Sequence, residues 1–149
     1  MRHWSQLLEG VRQTIVTLTL PELAAGNVHI LPAPVERPGE LPVQSRPAVW
    51  ITPAGPEQCD PAQGTNCRDD VVYPVLVASL FDDTPDRLEL VTRWRARLAG
   101  AFHQRPLAGT PCFRVTVVPL DLVERSAWMT RRLWLSQIRL LCLTREPRE

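Results

Sequence analysis

The chain has no lysine; all 17 of its basic residues are arginine. Two causes fit: GC-rich coding bias, or selection for the bidentate pairing that arginine brings to interfaces. Against 16 acidic residues the net charge is +1, so no overall field draws nucleic acid or an anionic membrane to the protein. Histidine is scarce as well. His3, His29 and His103 are the only three, and none stands at metal-ligand spacing from another histidine, a cysteine or an acid. Glycine is held to 7 residues, and no glycine-rich phosphate loop is present, nor any deaminase, kinase or hydrolase motif. No apolar run reaches the length of a membrane span, and Met1–Gln6 lacks a signal-peptide hydrophobic stretch. These absences predict a protein made in, or assembled from, the cytoplasm, with no membrane partner, no metal and no cofactor.

Four cysteines occur. Cys112 and Cys142 lie in or beside apolar strand-like segments and read as small buried hydrophobes. Cys59 and Cys67 share a loop at a spacing that fits no common zinc pattern. A loop-closing disulfide and a pair of free thiols both fit that spacing; a cytosolic setting favours the thiols.

Proline, by contrast, is abundant. Of 15 prolines, ten fall between Pro21 and Pro74. Residues 32–70 therefore form a long arm that is stiffened rather than loose, with stretches such as Leu31-Pro32-Ala33-Pro34 suited to polyproline geometry. An arm of this length is too long for an ordinary connector.

On either side of the arm the patterning is regular. Trp4, Leu7, Leu8, Val11 and Ile15 recur at helical spacing and predict an amphipathic helix over 3–17, stopped by Pro21. Short strands follow over 28–31 and 48–52. Val71–Phe81 is the longest apolar run and reads as a buried strand. Thr84 as N-cap, Pro85 in the first turn and Asp86 near the dipole predict a second helix running to Phe102. Leu88, Val91, Trp94, Leu98, Ala101 and Phe102 form its inward stripe. Glu89 and Arg93, with Arg97, form the outer one. Strands are predicted over 113–118 and 133–143, with a connector between them that holds at most a short helical turn. The fold class is α+β: one domain over 1–149, with a single mixed or antiparallel sheet of four to five strands, two main helices packed on one face, and the proline-rich arm.

A search for chemistry returns no catalytic set. Asp82 and Asp83 are adjacent in a strand and point to opposite faces, so they cannot share a substrate. His103 ends a helix, where a cation suits the macrodipole, and His29 reads as a solvated strand residue. Cys112 and His103 form no triad, because nothing orients the base. Arginine and tryptophan cluster over 93–97 and 128–134, but in the first Trp94 faces the core, which leaves the neighbouring arginines solvated or facing another subunit. The chain is not expected to be an enzyme.

Several segments carry a family resemblance. They are the helix Trp4-Ser5-Gln6-Leu7-Leu8-Glu9-Gly10-Val11-Arg12, the strand Tyr73-Pro74-Val75-Leu76-Val77-Ala78-Ser79-Leu80 leading into the Leu88–Phe102 helix, the exit Ala101-Phe102-His103-Gln104-Arg105-Pro106-Leu107 before Arg114-Val115-Thr116-Val117, and the closing Arg132–Leu143 strand. In this order they resemble the tail-terminator (tail-completion) proteins of long-tailed bacteriophages. The resemblance implies a structural virion protein that forms a ring, typically sixfold, caps the tail tube and joins the tail to the head connector. It implies as partners other copies of the chain, tail-tube protein and head-connector protein, with DNA passing through the lumen without sequence-specific contact. Another head–tail connector, neck or minor tail protein is the alternative within the same particle; a small cytoplasmic enzyme using Cys112 or an acid pair is the alternative outside it. A closed ring needs two different, complementary patches on each subunit. The expected interface residues are Arg93 and Arg97 on one patch, with Pro34, Val35, Leu41 and an exposed Trp50 as anchor on the other.

Overall fold

The structure, a computed structural model, describes residues 3–31, 46–60 and 68–147. Pro34, Val35, Leu41 and Cys67 lie outside the described residues. Helix α1 spans Trp4–Leu18, α2 Arg87–Phe102 and α3 Arg125–Arg131; strands β1 to β6 span Val28–Ile30, Ala48–Pro53, Gln58–Asp60, Arg68–Asp82, Cys112–Pro119 and Leu133–Pro147. The class is α+β with one mixed sheet. Among the described residues the sheet has six strands rather than four or five, in the order β1-β2-β4-β6-β5, with β3 also paired to β4. β1 and β2 run parallel, and every other pairing is antiparallel.

The spine is a fifteen-residue ribbon in which β4 and β6 pair from Arg68↔Pro147 to Asp82↔Leu133. Both strands run further than the apolar pattern alone marks, over 68–70 in β4 and 144–147 in β6. Polar residues hold those extensions together across the strands. Asp70 faces Arg145, and the Tyr73 hydroxyl donates to Glu146 at 2.8 Å. The alternation of the ribbon sends Val71, Tyr73, Val75, Val77 and Phe81, with Ile138, Leu140 and Cys142, into one core with α1 and α2. The opposite, far face carries Thr52, Leu76, Ala78, Arg139 and Leu141, and α3 lies near one end of it, where Ala127 packs on Trp50, Ala78, Leu80 and Leu135.

Pro74 sits inside β4, an uncommon place because proline cannot donate to a ladder. Its carbonyl accepts from Ala54 N–H at 2.9 Å, so its missing donor faces the same neighbour. That neighbour is interrupted there: 54–57 leave the ladder between Pro53↔Val75 and Gln58↔Val72. The proline is the reason β2 and β3 are two strands and not one.

α1 buries Leu7, Leu8, Val11 and Ile15 and ends at Thr19, which adopts a left-handed conformation. Gly10 allows close approach, because a Cβ there would meet the Thr110 Cγ2 at 2.6 Å. α2 begins later than Thr84 predicts. Asp86 adopts φ 66°, and Thr84 N–H bonds back to Asp82 O, so residues 82–86 form a turn rather than a cap. Leu90 takes the inward position in the first turn, and Leu88 is left 53% exposed. Val91, Trp94, Leu98 and Phe102 are buried as the spacing predicts.

The edge strand β5 is protected from pairing with other chains. His103 Nδ1 accepts from Val117 N–H at 3.1 Å, Arg105 O accepts from Val115 N–H, and Gln104 N–H donates to Val115 O. His103 ends α2 as the spacing predicts, and its ring nitrogen also serves as an acceptor for a strand edge.

Candidate interaction surface

The two outer arginines of α2 have different roles. Arg93 is exposed and pairs with Glu89 one turn back at 3.1 Å, as the spacing predicts. Arg97 is half-buried and donates to Leu18 O and, at 3.3 Å, to Thr19 O. It satisfies carbonyls at the C-terminus of α1, where a cation also suits the dipole. In the single chain it is therefore an internal cap, not the free outer residue its spacing suggests. Arg95, between them, points toward β6 and the segment after β5, as the carbonyls of Leu120, Asp121 and Gln137 and the Ser136 hydroxyl accept from its guanidinium. It too is not a solvated residue.

Trp50 is the largest correction. It is 7% exposed, not an open anchor. Its side chain lies on the far face, which groups it with Ala78, Leu80 and Leu135, and the His29 ring stacks on it at 4.6 Å. The stacking also removes His29 from the solvent position predicted for it. The arginines of α2 and Trp50 stand on opposite sides of the sheet, so the structure does not bring them into one patch.

The far face contains a feature that the sequence reading did not single out. Register aligns Thr52, Leu76, Arg139 and Val118 in one row across β2, β4, β6 and β5. Thr52 Oγ1, Arg139 Nε and, in the adjacent row, Trp50 Nε1 are inaccessible and have no hydrogen-bond partner among the described residues. Buried polar atoms are nearly always satisfied, and these three lie on one face of the sheet, with Leu76 of β4 between Thr52 and Arg139. A signal was present in the sequence: Arg139 is a lone charge inside an alternating Leu/Ile strand. Beyond the row, Arg132 stacks over Trp128 at 4.3 Å, and Met129 and Leu122 are exposed on or beside α3.

At the other end of this face Arg145 holds Asp70 through two bonds of 2.7 and 3.2 Å and lies over Phe113. Those hydrogen bonds hold the Asp70 carboxyl below the usual carboxylate range against the opposing effect of burial, and Arg114 adds its charge. The folded value is depressed, so the pair stabilises the fold fully above the unfolded value of about pH 4, and its contribution is lost as pH falls through the folded value. Asp70→Asn should therefore lower the urea midpoint at pH 7 and flatten its decline between neutral pH and about pH 3. Equal slopes for the two proteins would show that the pair carries no pH-linked stability.

Tyr73, Glu146 and His3 form a second polar group, on the core face. Burial, and then the neighbouring Glu146, push the Tyr73 hydroxyl well above its ordinary value, so it serves as a fixed donor. His3 Nε2 lies 3.1 Å from Glu146. Asp82 and Asp83 diverge, the first to Arg46 and the second to the Trp134 indole. Among the described residues no group of three or more His, Cys, Asp or Glu is placed to hold a metal ion, and no helix is long and apolar enough to cross a membrane. No protein-family model matches the chain, and no curated protein matches it.

Proposed function

We propose that this chain is a structural subunit that works through its surfaces: a tail terminator of a long-tailed bacteriophage, closing as a ring over the last ring of the tail tube and joining the tail to the head connector. The observation that carries the reading is the unlikeness of the two sides. One side is sealed by α1 and α2, whose outward charges are largely spent in local pairs such as Glu9–Arg12 and Glu89–Arg93. The other is a sheet face with half-buried leucines, unsatisfied Thr52, Trp50 and Arg139, and exposed Met129 and Phe113. Head-to-tail closure requires two such different surfaces, each meeting the other on the next copy. The protected β5 edge fits the same need, because it prevents the open-ended strand addition that would compete with ring closure. The site is a virion neck, assembled in the host cytoplasm, with tail-tube and head-connector proteins as neighbours.

Light scattering on size-separated protein, followed by electron microscopy with purified tube protein, tests this. The expected result is a closed ring that arrests tube growth when added. A single-copy species at every concentration, with tube growth unaffected, overturns the proposal. Rings that bind portal-complex protein and ignore the tube would move the chain to the neck instead.

A further inference from the structure

Among the described residues Met129 is the most open of the exposed large hydrophobics, at 61%. It lies on α3, with the half-buried Trp128 beside it and exposed Leu122 just before the helix. Single exposed apolar residues are ordinary, but these gather on one short stretch and form a patch. Methionine is unbranched and flexible, which suits it to filling an irregular gap. The rim of the patch is basic, because Arg125 and Arg132 are both exposed. The nearby acids are already engaged. The Glu124 carboxylate accepts from Ser126 and Ala127 N–H at 3.1 and 2.6 Å, and Asp121 sets its charge against Arg95.

The side sealed by α1 and α2 has a counterpart. The end of α1 and the segment leading to β1 border an open cavity of about 140 Å³, lined by Ile15, Leu20, Leu23 and Val28 together with the exposed Ala25. Beside it Glu22, Asp86 and Glu89 line a depression with Arg87 and Arg93, three acids to two arginines. Glu22 joins the two hollows, since it stands between Leu20 and Leu23 in the chain. Its pairing with Arg87 is loose at 3.7 Å, and Asp86 makes no ion pair among the described residues.

We propose that the α3 patch of one copy docks on this hollow of the next copy, with Met129 in the cavity and Arg125 and Arg132 facing Glu22, Asp86 and Glu89. This contact rests on the ring reading and names its two patches. The occupant follows from complementarity. A protruding apolar side chain with a basic rim stands on one side of the sheet, and an apolar hollow with an acidic rim stands on the other. The two patches differ, so the contact is head-to-tail, and its repetition about an axis closes a ring.

The test uses the full chain in two variants, each disabling one patch: Met129→Asp removes the knob, and Ala25→Trp blocks the hollow. Both positions are exposed, so circular dichroism and the thermal midpoint should match those of the unchanged chain. By light scattering, each variant alone should self-associate about tenfold more weakly or worse. Mixed in equal amounts, they should give a 1:1 pair and nothing larger. The Ala25→Trp copy keeps its methionine, and the Met129→Asp copy keeps its hollow. That pair should weaken as salt rises. If the unchanged chain forms rings and either variant forms them equally well, or the mixture gives no pair, this contact is overturned while the ring reading stands. If the unchanged chain stays single-copy at every concentration, the ring reading fails and takes this contact with it.

Discussion

Replacing Trp94 with alanine is expected to cost about 4 kcal/mol of folding stability, at the upper end for an aromatic truncation. The indole is 1% exposed at the centre of the α2 stripe. It meets Phe81 of β4 edge-on at 4.6 Å between centroids, and its Nε1–H donates to Pro21 O at 3.0 Å. One side chain therefore joins α2, the central strand and the segment that leaves α1. Alanine removes the ring from a core with nothing to refill the space, and it leaves a carbonyl without its donor. Trp94→Phe separates the two effects: it keeps most of the apolar area and loses the N–H, so it should cost only about 1–2 kcal/mol. Urea unfolding followed by far-UV circular dichroism gives both numbers. Small domains hold only about 5–15 kcal/mol in total, so the alanine variant should unfold at a far lower urea concentration. Equal losses for the two variants would mean that the hydrogen bond, and not packing, is the source of the stability.

Much of this core was readable in the chain itself. Leu7, Leu8, Val11 and Ile15 keep helical spacing, β4 is a near-continuous apolar run, and Cys112 and Cys142 proved buried as their surroundings suggest. These features are local, since a period or a composition decides them. The features that were missed depend on partners distant in sequence. Arg68, Asp69, Asp70, Arg145 and Glu146 look like loop until they are placed opposite one another across β4 and β6. Trp50 looks like an anchor until the register places it on the far face, near Leu80 and Leu135. Thr84 has the composition of a cap, but the left-handed Asp86 starts the helix after it. Periodicity assigns Arg95 and Arg97 a side of the helix, but it cannot name the carbonyls that wait there. That Trp50, Thr52 and Arg139 share one face of the sheet could not be recognised before the strand order was known.

Arg95 shows how much such an unseen partnership is worth. Its guanidinium donates at 2.8 Å to Ser136 Oγ, at 2.9 Å to Gln137 O and Leu120 O, and at 3.2 Å to Asp121 O. The first two acceptors belong to β6, and the others to the segment that leaves β5 for α3. That segment makes its own bonds to β6, from Leu120 N–H to Gln137 O and from Gln137 N–H to Asp121 O. Arg95 is thus the clamp that pins the start of the α3 connection to the sheet; burial disfavours its charge, and the Asp121 carboxylate opposes that effect. Arg95→Ala should cost about 3 kcal/mol, since charge-assisted bonds are lost and carbonyls are left short of a partner. Arg95→Lys should recover little of it, because one ammonium cannot reproduce a planar fork serving two elements at once. Hydrogen exchange distinguishes a clamp from a residue that only adds global stability. If Arg95 pins the connection, the amides of Leu120, Glu124 and Gln137 should lose more protection in Arg95→Ala than those of β4. A uniform loss across the sheet, or a change below about 1 kcal/mol, would show that the backbone bonds hold the segment unaided.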